Sequence, residues 1–247
     1  METSEIAYWN LGRRNMKIVI VSDIHANYDA LESLPERYDE LWVLGDLVNY
    51  GPEPKQVVGH VKEKATLVIR GNHDQAIGYG DDPRCSAQFR EMAEATRQFS
   101  DSVVTAEQKV YLRSLPLRVE AVRGGTRFFL CHATPSDPLY EYRTAESDQW
   151  SVDCGKLGAD VILVGHTHTP FIRSVAGKTL VNPGSLGQPK TGTPEACYAV
   201  WEDGQMNLRR CSYPIDTTVE KIRLMPVGKN VQEKLIRVLR SGGLPPE

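Results

Sequence analysis

Five of the six histidines in this 247-residue chain fall in short polar segments that each follow an apolar run. The segments are Asp23-Ile24-His25, Gly45-Asp46, Gly71-Asn72-His73-Asp74, Cys131-His132 and Gly165-His166-Thr167-His168, and His60 alone lies elsewhere. In open α/β sheets, ligand-binding side chains sit just beyond the carboxyl ends of strands, so these segments can converge on one crevice. Two carboxylates, one carboxamide and four imidazoles are too many for one tetrahedral zinc. They fit two five- or six-coordinate ions that share a carboxylate, with water completing each shell. Nitrogen and oxygen donors without thiolate suit Mn, Fe, Zn, Ni or Co. Paired ions in hydrolases lie about 3.5–4 Å apart and stabilise both the attacking and the leaving oxygen. Against two carboxylates they leave roughly two positive charges, a match for phosphate. Taken singly, each residue more often caps a turn than binds a metal; the ordered set carries the reading.

Spacing adds detail. In an extended segment, residues two apart face one side, so Asp23 with His25, and His166 with His168, are each expected to offer two ligands to one location. Gly45, Gly71 and Gly165 directly precede ligand candidates and are expected to permit a sharp backbone change there.

The runs that position these segments alternate with helical patterns in the first half. Residues 17–22 (KIVIVS), 40–44 and 65–69 read as buried strands. Helices are expected over 27–35, with Asn27 as N-cap, and over 54–63, and this order implies parallel βαβ units. Residues 86–99 and 105–114 read as further helices, Thr105 and Gln108 forming a capping box. The second half is richer in strands. Residues 117–122 and 126–131 flank an Arg123-Gly124-Gly125 turn, and 160–164, 171–175, 179–181, 196–201 and 206–210 follow. Val231, Leu235, Val238 and Leu239 form an apolar stripe at helical spacing, read as core packing with a dimer contact as the alternative. No repeat, low-complexity tract or linker interrupts the chain. Residues 16–247 are therefore assigned to one domain, and residues 1–15 are set apart as a leader because Met16 directly precedes the first strand.

Hydrophobic residues make up 40% and charged residues 25% of the chain, which is ordinary globular usage. A net charge of -3 argues against stable nucleic-acid binding, but not against a nucleotide substrate, since metal ions supply positive charge locally. Cys85, Cys131, Cys154, Cys197 and Cys211 are widely spaced, without Cys-x-x-Cys, so neither a disulfide framework nor a thiolate zinc site is suggested. Cys131 reads as packing rather than nucleophile. No secretory signal or membrane-spanning stretch is recognisable, and a soluble cytoplasmic protein with no membrane association is expected. Near the site, Tyr50 either lines a pocket or packs as a surface aromatic. The segment 133–142, with Pro135, Pro138, Tyr140 and Tyr142, is a specificity loop or a connection. His60, beside Gly59 at an expected helix end, reads as solvated.

In order along the chain, the five blocks resemble those of the calcineurin-like metallophosphoesterase superfamily: D-x-H, G-D, G-N-H-[DE], a lone His and G-H-x-H. They span residues 17–168, and Asn182-Pro183-Gly184-Ser185 is similar to the segment that follows the last block. Asp-Ile-His-Ala-Asn and Gly-Asp-Leu-Val-x-Tyr-Gly-Pro look most similar to the compact prokaryotic phosphodiesterase branch. The resemblance implies a four-layer α/β/β/α sandwich of two mixed β-sheets flanked by helices. It implies that Asp23, His25, Asp46 and His168 bind one metal, and that Asp46 bridges to a second held also by Asn72, His132 and His166. A hydroxide bridging the metals would attack phosphorus in line with the leaving oxygen, with no covalent phospho-enzyme. His73 would be the catalytic residue beside the phosphate, protonating the leaving group or stabilising its charge. Mn²⁺ is the expected activating ion, with Fe, Zn, Ni or Co as alternatives.

The implied activity is hydrolysis of a small phosphate ester, first of all a phosphodiester. A phosphomonoesterase or a dinucleoside-polyphosphate hydrolase is the alternative, and a homo-oligomer is left open. Some relatives, including a retromer subunit, act in protein assembly with a degraded metal site; the full ligand set and His73 argue against that role here. One departure stands out. In Ser/Thr protein phosphatases the second block reads G-D-x-V-D-R-G, whereas this chain has Asn49 and Tyr50 in place of the Asp and Arg. Protein phosphatase activity loses support, and the partner that orients His73 is left open. Asp74 is the adjacent acid, which orients His73 or stabilises the loop.

Overall fold

The computed structural model describes residues 16–243; the expected leader lies outside them. In chain order the elements are β1 (Lys17–Val21), α1 (Tyr28–Glu32), β2 (Glu40–Val43), α2 (Pro54–Lys64), β3 (Leu67–Val68), α3 (Asn72–Tyr79), α4 (Ala87–Val103), α5 (Ala106–Ser114) and β4 (Arg118–Arg123). They continue with β5 (Thr126–Cys131), α6 (Gln149–Gly155), β6 (Val161–Leu163), β7 (Phe171–Val175), β8 (Lys178–Asn182), β9 (Ala196–Glu202), β10 (Gln205–Cys211), α7 (Ile215–Arg223) and α8 (Lys229–Ser241).

Two five-stranded sheets form, ordered β10-β9-β1-β2-β3 and β4-β5-β6-β8-β7. In the first, β1, β2 and β3 run parallel, as the βαβ reading requires, and β9 returns antiparallel to β1. In the second, β5, β6 and β8 are parallel, with β4 and β7 antiparallel at the edges. Side chains alternate across a strand, and β1 shows what that does here. Ile18 and Ile20 enter a core between the sheets with Trp42, Phe128, Leu130 and Leu163. Val19 and Val21 face outward onto Val57, Val58 and Val61 of α2. Both faces of the strand are covered, which is why the run is apolar throughout. On the far side of the second sheet, Phe129, Ile162 and Leu180 pack against Trp150 and Cys154 of α6. Helix, sheet, sheet and helix thus make the four layers.

The terminal stripe is used internally: Val231, Leu235, Val238 and Leu239 are buried against Phe89, Met92 and Ala93 of α4. The expected helix at 27–35 shortens to α1, whose N-cap Asn27 accepts from the Ala30 amide at 3.1 Å. The strand expected at 65–69 shrinks to the two residues of β3. Three helices were not anticipated. α3 begins in the polar segment 71–74, where the Asp74 carboxylate accepts from the Gly71 amide at 3.0 Å, so its start signal is hidden among ligand candidates. α6 and α7 are short, with seven and nine residues. His60 corrects another expectation: it lies within α2, half-buried, its ring 5.7 Å from that of Tyr28. All five cysteines are free, with Cys131, Cys154 and Cys197 buried. Among the described residues, no helix is long and apolar enough to cross a membrane.

One polar tie joins the outer helices of the first sheet. Lys221 of α7 places its Nζ 2.7 Å from Asp29 of α1 and 2.8 Å from Glu53, the residue before α2, while the Thr218 hydroxyl donates to Asp29 at 2.8 Å. The two carboxylate side chains are only 10% and 13% exposed, so they depend on that ammonium. Removing one partner of a buried pair costs more than the pair contributes. Lys221→Met is expected to lower stability in urea at pH 7 by about 1–3 kcal/mol. A change below about 0.5 kcal/mol, the range of ordinary surface substitutions, would show that the tie is ornamental.

Candidate metal centre

Asp23 and His25 follow β1, Asp46 follows β2, and Asn72 and His73 open α3 just past β3; all of these belong to the first sheet. His132 follows β5, and His166 and His168 follow β6, in the second. The seven ligand candidates and His73 are each no more than 3% exposed. Donor atoms of Asp23, His25 and His168 lie within 4.8 Å of one another, and so do those of Asp46, His132 and His166. Asp46 Oδ2 stands between the groups, 3.7 Å from His25 Nε2 and 3.3 Å from His132 Nε2. Asn72 Oδ1 joins the second group, 3.0 Å from His132 Nε2 and 3.1 Å from His166 Nδ1.

Asp23 and His25 do share a location, but His166 and His168 divide between the two groups. The backbone is not extended there either. Asp23, His25, Asp46, His166 and His168 all have φ between 48° and 66°, the left-handed region that non-glycine residues seldom enter. Such strain persists only where the surroundings over-determine it. Here the His25 amide donates to Asp46 O at 2.9 Å and the Asp23 amide to Gly45 O at 3.1 Å. The Asp74 carboxylate accepts from the amides of Asp46, Leu47 and Gly71 at 2.8, 2.9 and 3.0 Å. From the loop after β8, the Ser185 hydroxyl and the Gly187 amide both donate to Asp23 O, at 2.7 and 3.1 Å. Of the three glycines, only Gly45, with φ of +91°, uses its conformational freedom. The others allow close approach: a Cβ on Gly71 would meet Asp46 Oδ1 at 2.1 Å, and one on Gly165 would meet Ser22 Oγ at 2.0 Å.

Hydrogen bonding fixes where the lone pairs point. Nδ1 of His25, His132 and His168 lies 3.1, 2.7 and 2.7 Å from the carbonyl oxygens of Val48, Leu44 and Gln188. A carbonyl only accepts, so each Nδ1 carries a proton and each Nε2 is the nitrogen turned inward, the one that can offer a lone pair to a cation. His25 Nε2 and His168 Nε2 face each other at 3.2 Å. Asn72 Nδ2 donates to Pro83 O at 2.7 Å, which aims its Oδ1 inward as well. Asp23 Oδ1 and His166 Nε2 are buried with no hydrogen-bond partner. A buried cluster made of acceptors is costly unless positive charge sits among them. The electrostatics agree. Burial alone would lower His132, yet Asp46 foremost, then Asp23, raise it to about 9. Burial likewise opposes ionisation of Asp23, but His168 and His132 hold it well below the usual carboxylate range. The donor set therefore fits divalent cations of the type that accept nitrogen and oxygen ligands.

His73 stands apart from both groups. Asn49 Nδ2 donates to its Nδ1 at 2.7 Å, leaving the ring proton on Nε2. Burial pushes its pKa down to about 4, so the ring is a neutral donor. Asn49 is thus the orienting partner, and Asp74 serves the loop. Tyr50 is a packed residue, 5% exposed, with its ring 4.9 Å from His25 and 5.0 Å from His73. Tyr142, 48% exposed, lies on the His166 ring at 4.0 Å, so the segment 133–142 does reach the site. Gln188 was not singled out in the sequence, and Ser185 appeared there only as the last residue of the Asn-Pro-Gly-Ser segment.

Residues 16–204 match the calcineurin-like phosphoesterase superfamily domain. The chain is 31% identical over 229 residues to the protein MJ0912 of Methanocaldococcus jannaschii, covering 83% of this chain and 91% of that one. It is 26% identical over 209 residues to the phosphodiesterase YfcE of Escherichia coli, 78% and 91% of the two chains. A symmetrical bis(5'-nucleosyl)-tetraphosphatase of Dechloromonas aromatica matches over 110 residues at 32% identity, 41% of this chain and 39% of that one. The metallophosphoesterase of Sphaerobacter thermophilus superposes with a TM-score of 0.77 at 28% identity, over 93% of this chain and all of that one. This chain belongs to the calcineurin-like phosphoesterase superfamily.

The segment that carries Tyr142 is pinned by Arg143, whose guanidinium lies 2.7 Å from Glu141, 2.8 Å from Asp153 and over the Trp150 ring. Burial raises both acids, but hydrogen bonds from Arg143, Thr134 and Ser136 hold them below the ordinary carboxylate value. Carboxylates lowered in the folded state stabilise above their unfolded pKa, near 4, and lose that contribution as pH falls through the folded value. Arg143→Met is therefore expected to cost about 1–3 kcal/mol at pH 7 in urea unfolding, with the gap to wild type closing below about pH 4. Equal stabilities at pH 7, or a gap that widens in acid, would contradict this account.

Proposed function

We propose that this chain is a dinuclear metal-dependent phosphodiesterase. The reading is carried by the buried cluster of inward-facing acceptors, with Asp46 between its two halves. Asp23, His25 and His168 would hold one ion and Asn72, His132 and His166 the other, with Asp46 shared. When bound, such a pair lowers the pKa of water and neutralises charge on phosphate oxygens. The chain's own residues do the rest. Main-chain carbonyls keep three ligand imidazoles in one tautomer, the outer contact that orients metal-binding histidines. Asn49 holds His73 with its proton on Nε2, where it donates to the leaving oxygen or to the charge developing on it. Neutral at any pH above about 5, His73 acts by hydrogen bonding and needs no titration near neutrality. Tyr142 forms part of the wall beside His166 and screens that side from water.

Similarity to YfcE over most of both chains supports a diester as substrate; the nitrogen and oxygen donors make Mn²⁺ the ion to try first. A second reading, hydrolysis of a dinucleoside polyphosphate, rests on the shorter match to the tetraphosphatases.

Chelator-treated protein is expected to take up two Mn²⁺ per chain in calorimetric titration and to hydrolyse bis-p-nitrophenyl phosphate only once they are bound. Asp46→Ala is expected to lose metal and at least about a hundredfold in kcat. His73→Ala should keep both ions yet lose a similar factor, separating the donor from the ligands. Wild-type turnover in both variants, or hydrolysis undiminished in excess chelator, would refute the mechanism.

A further inference from the structure

Tyr142 is the open side chain at an otherwise closed site. The seven ligand candidates and His73 are buried, yet Tyr142, whose ring lies 4.0 Å from that of His166 with 35° between the planes, is 48% exposed. With one face turned to His166, the open part of the side chain is the other face and its rim. Tyr79, the other exposed aromatic residue among those described, is covered instead by the Arg70 guanidinium, 5.0 Å from its ring centroid.

The exposure does not come from a loose segment. On one side of Tyr142, Glu141 accepts from the Thr134 hydroxyl at 2.7 Å. On the other, the buried Arg143 donates to Glu141 at 2.7 Å and to Asp153 of α6 at 2.8 Å. Two residues upstream, the Arg84 guanidinium lies over the Tyr140 ring at 4.3 Å, and the neighbouring Pro83 carbonyl accepts from Asn72 Nδ2 at 2.7 Å. The backbone that presents Tyr142 is thus tied to α6 and, through residues 83–84, to a ligand candidate. A tyrosine held this way offers a large apolar face at small entropic cost, since only two side-chain torsions need fixing. Burial foremost, then Cys85, Asp46 and Asp23, push its phenol pKa up. The hydroxyl end therefore stays protonated and within electrostatic reach of both carboxylates, while the free face looks to solvent. His166 belongs to the second group of donors, so a group stacked on that face lies close to a phosphate held there.

We infer that the free face of Tyr142 is a stacking platform for a planar ring of the substrate. The preferred class is then aryl phosphate esters, with the ring attached at or next to a phosphate oxygen, over alkyl esters. Aromatic pairs gain more than the area they bury, whereas an alkyl group gains from the same face by area alone. The inference rests on the phosphoesterase reading and deepens it, making Tyr142 a specificity-determining residue.

The test compares Mn²⁺-loaded wild type, Tyr142→Leu and Tyr142→Phe, with thermal melts and metal content measured for each. Leucine keeps an apolar cover on His166 but removes the ring; phenylalanine keeps the ring. On bis-p-nitrophenyl phosphate, Tyr142→Leu is expected to raise KM about fivefold, with the larger part of the change in KM rather than in kcat, and Tyr142→Phe to restore it. A second readout needs no turnover: phenylphosphonate and methylphosphonate are titrated calorimetrically into each protein. Wild type and Tyr142→Phe should bind the phenyl compound about fivefold more tightly than the methyl one, and Tyr142→Leu should lose that preference. Equal affinities in wild type, or a preference that survives in Tyr142→Leu, would overturn the platform. So would loss of Mn²⁺ from Tyr142→Leu, which would show that the ring supports His166 instead. If wild type hydrolyses no ester yet prefers phenylphosphonate through Tyr142, the catalytic reading fails and the platform stands. If it hydrolyses esters without that preference, the platform fails and the catalytic reading stands.

Discussion

The structure is organised around one electrostatic demand: several hydrogen-bond acceptors, two of them carboxylates, are buried at a single point, where Asp23 Oδ1 and His166 Nε2 have no donor to meet them. No fold tolerates this by accident, because each uncompensated acceptor costs of order 1–3 kcal/mol. The surroundings show how much is committed to keeping them there. Five ligand candidates hold left-handed backbone, Asp74 gathers three amides under the Asp46 turn, and the loop after β8 clamps Asp23 from the other side. A cation at the centre turns all of this from a liability into a coordination sphere.

The arrangement also explains why two sheets are needed. Asp23, His25, Asp46 and Asn72 come from strand ends of the first sheet, while His132, His166 and His168 come from the second. Neither sheet alone presents a complete half of the cluster: His168 crosses to Asp23 and His25, and Asp46 crosses to His132 and His166. The core of Ile18, Ile20, Trp42, Phe128 and Leu163 between the sheets sets the spacing across which these groups meet. Ions bound here would act as a clasp between layers that apolar packing has already brought into register.

Much of this was legible in the sequence, for physical reasons. The ligand candidates follow apolar runs whose period marks strands, so their convergence at strand ends followed from the general behaviour of α/β sheets. β1, β5 and the α8 stripe were readable because their burial patterns are simple. What escaped was whatever depends on conformation rather than composition. Asp23-x-His25 and His166-x-His168 look like extended pairs on paper, but left-handed φ values turn each residue separately, and the second pair is divided, as the family resemblance implied and the spacing did not. The start of α3 is masked because Asp74, its capping acid, looks like one more ligand. Asn49 could be seen to replace an acid, yet only the 2.7 Å contact to His73 reveals that an amide does the orienting.

The carbonyl contacts to His25, His132 and His168 have one further consequence. The acceptors belong to the main chain of Val48, Leu44 and Gln188, so exchanging the side chain at any of these positions leaves the oxygen where it was. Ring tautomer and tilt at three ligand candidates are therefore encoded in the path of the backbone rather than in the identity of a neighbour. Drift at those three sites leaves the chemistry intact for as long as the chain keeps its course, and only an insertion or a shift of the turn itself would undo it.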